Sequence, residues 1–256
     1  MENILIVFFI IFGAIVGSFL NALIYRLPRE INIALPRSRC PSCHKVIAWY
    51  ENIPVISYLF LKGKCSSCKN KISIQYPIVE ILSGIAAFVL APKNINPEYL
   101  LNFVFYFSVY CVFIVHFLID LEYRILPDSL NIYLGLIFFV FSFLTHSWMY
   151  MLSGFLIGGG FPLIVSWIFY KLRGEIGLGG GDIKLYAALG IYLGPIGIIH
   201  NIFLSCFLGA IIGLIMIGLK LIKRENPIPF GPFILVVASI QIFIPSIFEG
   251  LVSYIP

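Results

Sequence analysis

Residues 178–196 read Leu-Gly-Gly-Gly-Asp-Ile-Lys-Leu-Tyr-Ala-Ala-Leu-Gly-Ile-Tyr-Leu-Gly-Pro-Ile. Three glycines lead into one carboxylate, Asp182, at the edge of a strongly apolar run. An ionised carboxylate at a membrane boundary costs free energy, so a chain keeps one there for a function. A second carboxylate, Asp120, ends another apolar run about sixty residues earlier. Each is flanked by chain irregularities, which suggests one shared acid/base site.

The rest of the chain agrees with a membrane setting. It has 256 residues, 60% hydrophobic and 11% charged, against about 25% charged in a soluble domain. Apolar runs of about twenty residues span a bilayer as helices. Eight are read here: 4–25, 77–91, 99–119, 129–146, 149–170, 183–196, 198–221 and 231–253. The expected fold is an all-α polytopic membrane protein of about eight transmembrane helices. The first run lacks a basic n-region and a small-residue cleavage site, so it reads as a retained anchor.

Orientation follows from Lys and Arg. With the N-terminus outside, residues 26–76, 120–128, 171–182 and 222–230 face the cytoplasm. Of 17 Lys and Arg, only Lys93 then falls outside. The net charge of +5 is scattered between apolar runs, a pattern of topology and not of nucleic-acid binding. Asp120 then ends the third span running inward and Asp182 begins the sixth running outward, so both lie on one side.

Residues 26–76 form the one large polar loop, between a first helix at 1–25 and a seven-helix membrane domain at 77–256. The loop holds Cys40-Pro-Ser-Cys43 and Cys65-Ser-Ser-Cys68. Two Cys-x-x-Cys knuckles read as a four-thiolate zinc site. Zinc takes four soft ligands in a tetrahedron, and four protein ligands leave no open position, so the metal is structural. The loop is too poor in apolar residues to fold unaided, which suits a metal staple. The other readings are two disulfides, disfavoured in the cytoplasm, or bare thiols. Cys111 and Cys206 lie inside spans as packing residues.

Each aspartate also has a plain structural reading. Asp182 follows three glycines and can cap the sixth span; Asp128, after Pro127, can cap the fourth. Lys184 faces away from Asp182 on a helix and reads as a snorkelling residue. Two carboxylates within a few ångströms cannot both ionise easily, so one stays protonated while the other acts as base. Such a pair activates water against a peptide carbonyl. No Gly-x-Ser-x-Gly elbow, His-Glu-x-x-His helix or Walker loop is present, and the four histidines are scattered. Gly154-x-x-x-Gly158 and Gly209-x-x-x-Gly213 read as close helix packing. Asn21 and Glu80 read first as inter-helix hydrogen-bonding groups.

The order of these pieces resembles the bacterial prepilin peptidases, the type IV leader peptidase/N-methyltransferase family. The resemblance begins with Gly17-Ser-Phe-Leu-Asn21-Ala-Leu-Ile-Tyr-Arg-Leu-Pro28. It runs through Cys40-Pro-Ser-Cys43, Trp49-Tyr-Glu-Asn-Ile-Pro54-Val-Ile-Ser-Tyr, Gly63-Lys-Cys-Ser-Ser-Cys68, Ile72-Ser and Tyr76-Pro-Ile-Val-Glu80. It continues in Ile119-Asp120 to Pro127-Asp128, Gly179-Gly-Gly-Asp182-Ile-Lys184 and Pro229-Phe-Gly-Pro-Phe233.

The resemblance implies removal of a basic leader from prepilins or pseudopilins at the cytoplasmic face of the bacterial inner membrane. It also implies methylation of the new N-terminus with S-adenosylmethionine as donor. It carries the catalytic role to Asp120 and Asp182 and the zinc-ligand role to Cys40, Cys43, Cys65 and Cys68. The methyl-donor site has no Rossmann glycine pattern; Glu51, Asn52, Tyr76 and Glu80 are its candidate contributors. The expected partners are these substrates and lipid, with no nucleic acid; oligomeric state is not legible. The alternatives are an ion- or proton-coupled transporter and a zinc-ribbon scaffold without chemistry.

Overall fold

The computed structural model describes residues 2–92, 94, 96–175, 177–221, 228–246 and 248. Lys93, residues 222–227, residue 247 and residues 249–253, used in the topology reading above, lie outside them. Among the described residues the chain is helical. The helices are α1 (Glu2–Arg26), α2 (Ile56–Phe60), α3 (Gln75–Val89), α4 (Pro97–Tyr123), α5 (Asp128–Thr145), α6 (Trp148–Arg173), α7 (Gly180–Gly218) and α8 (Gly231–Phe243). Two isolated bridges in the polar loop, Arg39 with Val46 and Lys64 with Lys71, are the β pairing among them.

The helix ends follow local chemistry. Ser147 caps α6 by accepting from the Tyr150 N–H, as a hydroxyl at that position should. Gly174, at φ 73°, ends the same helix in the left-handed conformation that favours glycine. Pro97 and Pro127 stand at the starts of α4 and α5.

Five helices are long and apolar enough to cross a membrane: α1, α4, α5, α6 and α7. α3 and α8 are shorter apolar helices. Only 17% of the most apolar window of α6 is buried within the protein, which leaves a lipid-facing surface.

The sixth and seventh apolar runs meet in α7, which is not straight. Tyr186 Oη and Ser205 Oγ lie 2.6 Å apart although 19 residues separate them. A straight helix would hold them about 28 Å apart. The chain turns back at Gly194 (φ 67°, ψ −174°), followed by Pro195. The two runs are therefore a hairpin of helical arms, 180–193 and 195–218. The break falls at Gly194 and not near 197, because Gly194 alone there takes the positive φ. Its missing side chain also makes room for the Tyr150 ring, whose hydroxyl donates to Leu193 O at 2.8 Å.

The chain divides into two units, Met1–Val115 and His116–Pro256, with the boundary inside α4. In the first, α1 packs along α3. A Cβ on Gly13 would collide with Ser83 O, and one on Gly17 would stand 2.8 Å from Glu80 Cα, so these glycines set the helix separation. Phe9, Ala87, Phe103 and Phe107 form an apolar cluster. In the second, α7 packs against α5, α6 and α8. Gly154 and Gly190 face each other so closely that a Cβ on either would strike the other's carbonyl oxygen. The Gly154-x-x-x-Gly158 pattern thus serves packing, as its spacing indicates.

Candidate functional site

Asp120 lies in the last turn of α4 and is 4% exposed. Its Oδ2 accepts the Gly231 N–H at 2.9 Å, at the first residue of α8. A Cβ on Gly231 would come within 2.8 Å of that oxygen and 3.2 Å of Leu126 Cδ2. Leu126 also abuts Gly181, where a Cβ would lie 2.9 Å from its own Cβ. Gly181 precedes Asp182 at the start of α7. Leu126 therefore joins the two ends of the site, and the Asp120 and Asp182 carboxylates act on one another electrostatically. These contacts all fall within the second unit.

Asp182 is not the N-cap of α7; Gly179 is. Glycine has no side chain to cap with, so Asp182, three residues on, turns its carboxylate back toward the Gly179 backbone. That is the returning half of a capping box. The helix start thereby fixes the carboxylate that the sequence singled out.

Two buried residues, one of the four scattered histidines and an asparagine, support this corner. His116 is fully buried, one turn before Asp120, and its Nε2 lies 3.1 Å from Asn131 Oδ1. Asn131 Nδ2 donates to Gly181 O at 3.3 Å. The bonds tie α4 and α5 to the glycine turn. His116 carries no signal in the sequence, because a lone histidine in an apolar run has no ligand spacing to mark it.

Asp128 does not cap α5, since no side-chain cap is made there. Its carboxylate takes Lys184 Nζ at 2.7 Å on both oxygens. Both side chains are exposed, so the pair contributes about 0–1 kcal/mol. Lys184 is thus paired to protein and not directed at lipid.

The polar loop builds its second cluster from two near-equivalent turns. Cys40 N donates to Lys45 O and His44 N to Cys40 O, while Cys65 N donates to Asn70 O and Lys69 N to Cys65 O. The residue after each knuckle takes positive φ, His44 at 57° and Lys69 at 61°. All four Sγ atoms lie within 4.8 Å of one another, with Cys40 to Cys68 at 3.8 Å and Cys43 to Cys65 at 4.0 Å. A tetrahedron with bonds of about 2.3 Å has edges of about 3.8 Å, so the set fits a metal ion. None of the six cysteines is in a disulfide.

Charge in the loop follows from its hydrogen bonds. The Cys68 and Ser67 N–H groups draw the Cys65 thiol down to about 6. The Lys45 N–H lowers Cys43. At Cys68 the Asn70 N–H favours the thiolate, but desolvation and three neighbouring sulfurs outweigh it and push the thiol up to about 11. Were all four thiolates at once, so close together, they would require a cation among them. Glu51 is held down to about 2 by the Ser66 hydroxyl, the Ala48 N–H and Lys45. It ties the two knuckles together, with Lys45 Nζ at 3.0 Å from its Oε1.

Asn21 and Glu80 also hydrogen-bond between segments. Asn21 Nδ2 donates to Tyr76 O at 3.0 Å, and Glu80 Oε2 accepts the Val55 N–H at 2.7 Å.

Residues 11–93 match the family model for the bacterial peptidase A24 N-terminal domain, and residues 107–214 match that of the type IV leader peptidase family. A prepilin leader peptidase/N-methyltransferase of Stutzerimonas stutzeri is 36% identical, across 88% of this chain and 86% of its own. Proteins of the same name from Pseudomonas aeruginosa and Legionella pneumophila are 34% and 30% identical, across 91% of this chain and 88% and 89% of theirs. No solved structure gives a significant match. With both halves matched in order, and relatives aligned nearly end to end, the chain is an integral membrane protein that belongs to the type IV leader peptidase family.

Proposed function

We propose that this protein cuts the basic leader from prepilins or pseudopilins with Asp120 and Asp182 as its acid/base pair. The observation that carries the reading is the corner just described. A buried carboxylate, oriented by the Gly231 N–H, stands within the field of a second one fixed at a glycine-rich helix start. One carboxylate takes a proton from water as the water oxygen attacks the scissile carbonyl carbon. The other gives its proton to the carbonyl oxygen. The tetrahedral species then breaks its C–N bond as a proton returns to the leaving nitrogen, giving a carboxylate and a new amine. The glycines at 179–181 allow an extended backbone to approach.

The new N-terminus is then methylated with S-adenosylmethionine as donor, in keeping with the names of the relatives. Zinc is the metal that suits four thiolates; Cys40, Cys43, Cys65 and Cys68 would hold it as a staple for the loop. The loop and the aspartates face the cytoplasm of the bacterial inner membrane, which the placement of Lys and Arg supports. The transporter alternative gains nothing from the relatives, which carry peptidase names.

The test is to purify the wild type, Asp120→Asn and Asp182→Asn in detergent and incubate each with a prepilin. Each single variant should lose about 10²–10⁴-fold in cleavage rate, and the double variant little more, because the pair acts as a unit. A folded single variant that cleaves at the normal rate would sink the assignment.

A further inference from the structure

Glu80 has a place in the first unit that the peptidase reaction does not use. It lies on α3 and is 7% exposed, in an apolar helix. Two donors meet its carboxylate, the Val55 N–H at 2.7 Å and the Ser18 hydroxyl. Among the described residues no Lys, Arg or His nitrogen forms an ion pair with it. A carboxylate placed in such an apolar helix marks a functional site unless a partner neutralises it.

A second observation points the same way. Asn21 is 4% exposed, and its Oδ1 is buried with no hydrogen-bond partner. The two residues lie about one turn apart across antiparallel helices: Gly17 abuts the Glu80 backbone, and Asn21, one turn on, bonds to Tyr76, one turn before Glu80. Helical side chains lean toward the N-terminus, so the Glu80 carboxylate leans toward the Tyr76 turn where Asn21 sits. Val55, whose N–H holds the carboxylate, has φ 62°. A branched residue there is strained, and strain of this kind accompanies sites that must hold a fixed shape. Val55 and Ser18, beside the carboxylate, are half-buried, where Glu80 and Asn21 are buried.

An anionic oxygen and an amide oxygen without a donor together ask for a small cation bearing several N–H groups. An ammonium offers three and the sulfonium centre of a methyl donor offers none, so the donor's own amino group is the competing source that the test below separates. We infer that Glu80 and Asn21 bind the α-amine of the freshly cut substrate for methyl transfer. Glu80 accepts a proton from the ammonium. The freed nitrogen lone pair attacks the methyl carbon of the sulfonium donor, and the C–S bond breaks with its electron pair passing to sulfur. The product is a secondary ammonium. This rests on the methyltransferase reading above, and unit 1 would then carry that second chemistry.

The test uses the full-length protein with two substrates: an intact prepilin, and a pre-cut peptide with a free apolar N-terminus plus S-adenosylmethionine. Glu80→Gln keeps an acceptor for the Val55 N–H and removes the charge. It should cut the prepilin within about twofold of the wild type, while methyl gain by mass falls by about 10²-fold or more, the scale of a lost acid/base group. S-adenosylmethionine binding by equilibrium dialysis should be unchanged. Asn21→Ala should raise KM for the pre-cut peptide with cleavage intact. Normal methylation by Glu80→Gln would make Glu80 a clamp for the Val55 turn and overturn the inference. Lost donor binding with an unchanged peptide KM would assign the cluster to the donor and overturn it too. Should Glu80→Gln also lose cleavage or zinc, Asn21→Ala decides: a normal peptide KM there overturns the inference. A wild type that cuts but never methylates would refute the underlying methyltransferase reading itself.

Discussion

Gly231 shows how narrow the tolerances are around one oxygen atom. Its N–H orients Asp120 Oδ2, and the same residue has no room for a Cβ against that oxygen. Gly231→Ala should therefore keep the fold and displace the carboxylate. A misplacement of about 1 Å costs about 10²-fold in rate, so cleavage should fall in kcat with KM nearly kept. An unchanged kcat would mean the Gly231 contact does not set the aspartate. The sequence made this site half legible. Asp120 and Asp182 stand out because carboxylates are rare at apolar edges. Gly231 and Asn131 do not, because a backbone donor and a buried amide leave no charge or spacing signal. Asp128 and Lys184 misled for the opposite reason: each has an ordinary local role, and only their contact across 56 residues reveals the pair.

At the scale of the element, the two Cys-x-x-Cys knuckles make a prediction about reactivity. A thiolate alkylates and a thiol does not. In metal-free protein Cys65, at about 6, is mostly thiolate at neutral pH, whereas Cys68, at about 11, keeps its proton. Iodoacetamide labelling followed by mass spectrometry should find Cys65 first. Its labelling should rise as pH climbs through about 6, and that of Cys68 only toward about 11. Loading with zinc should protect all four. Equal labelling of Cys65 and Cys68 at neutral pH would mean the turn that holds both does not tune its thiols. The Cys-x-x-Cys spacing announced this element in advance. The left-handed turns at His44 and Lys69 were hidden, since neither position carries the glycine that usually advertises one. In α1 the glycines at 13 and 17 were visible as letters, but only the nearness of Ser83 and Ala87 shows what they make room for.

For the whole molecule, the proposed catalytic role of the aspartates sets where a substrate can be cut. Asp120 closes α4 and Asp182 opens α7, so under the proposed topology both stand at one membrane face. Backbone amides unpaired in lipid are costly, so the scissile bond is exposed only at that depth. In a series of prepilins whose cut site moves stepwise into the apolar segment, processing should stop within a few residues. Equal cleavage throughout the series would refute the boundary placement, even with the aspartates essential. The all-helical plan was legible because apolar runs of bilayer length admit few other structures. The exact breaks were not, because a hairpin and a continuous helix present the same apolar letters around 194.

That hairpin has a consequence for how the chain is made. The arm that carries Asp182 has about fourteen residues, about 21 Å of helix, against an apolar layer of about 30 Å. When it leaves the ribosome its Tyr186 hydroxyl has no partner, because Ser205 has yet to be synthesised. Alone, the arm is too short and too polar to settle in lipid. It becomes stable only when the returning arm arrives to cover it. The two are therefore inserted as a pair, and Asp182 reaches its working position late in translation. On the proposed assignment, the acid/base pair is thus complete only once the chain has been made past Ser205.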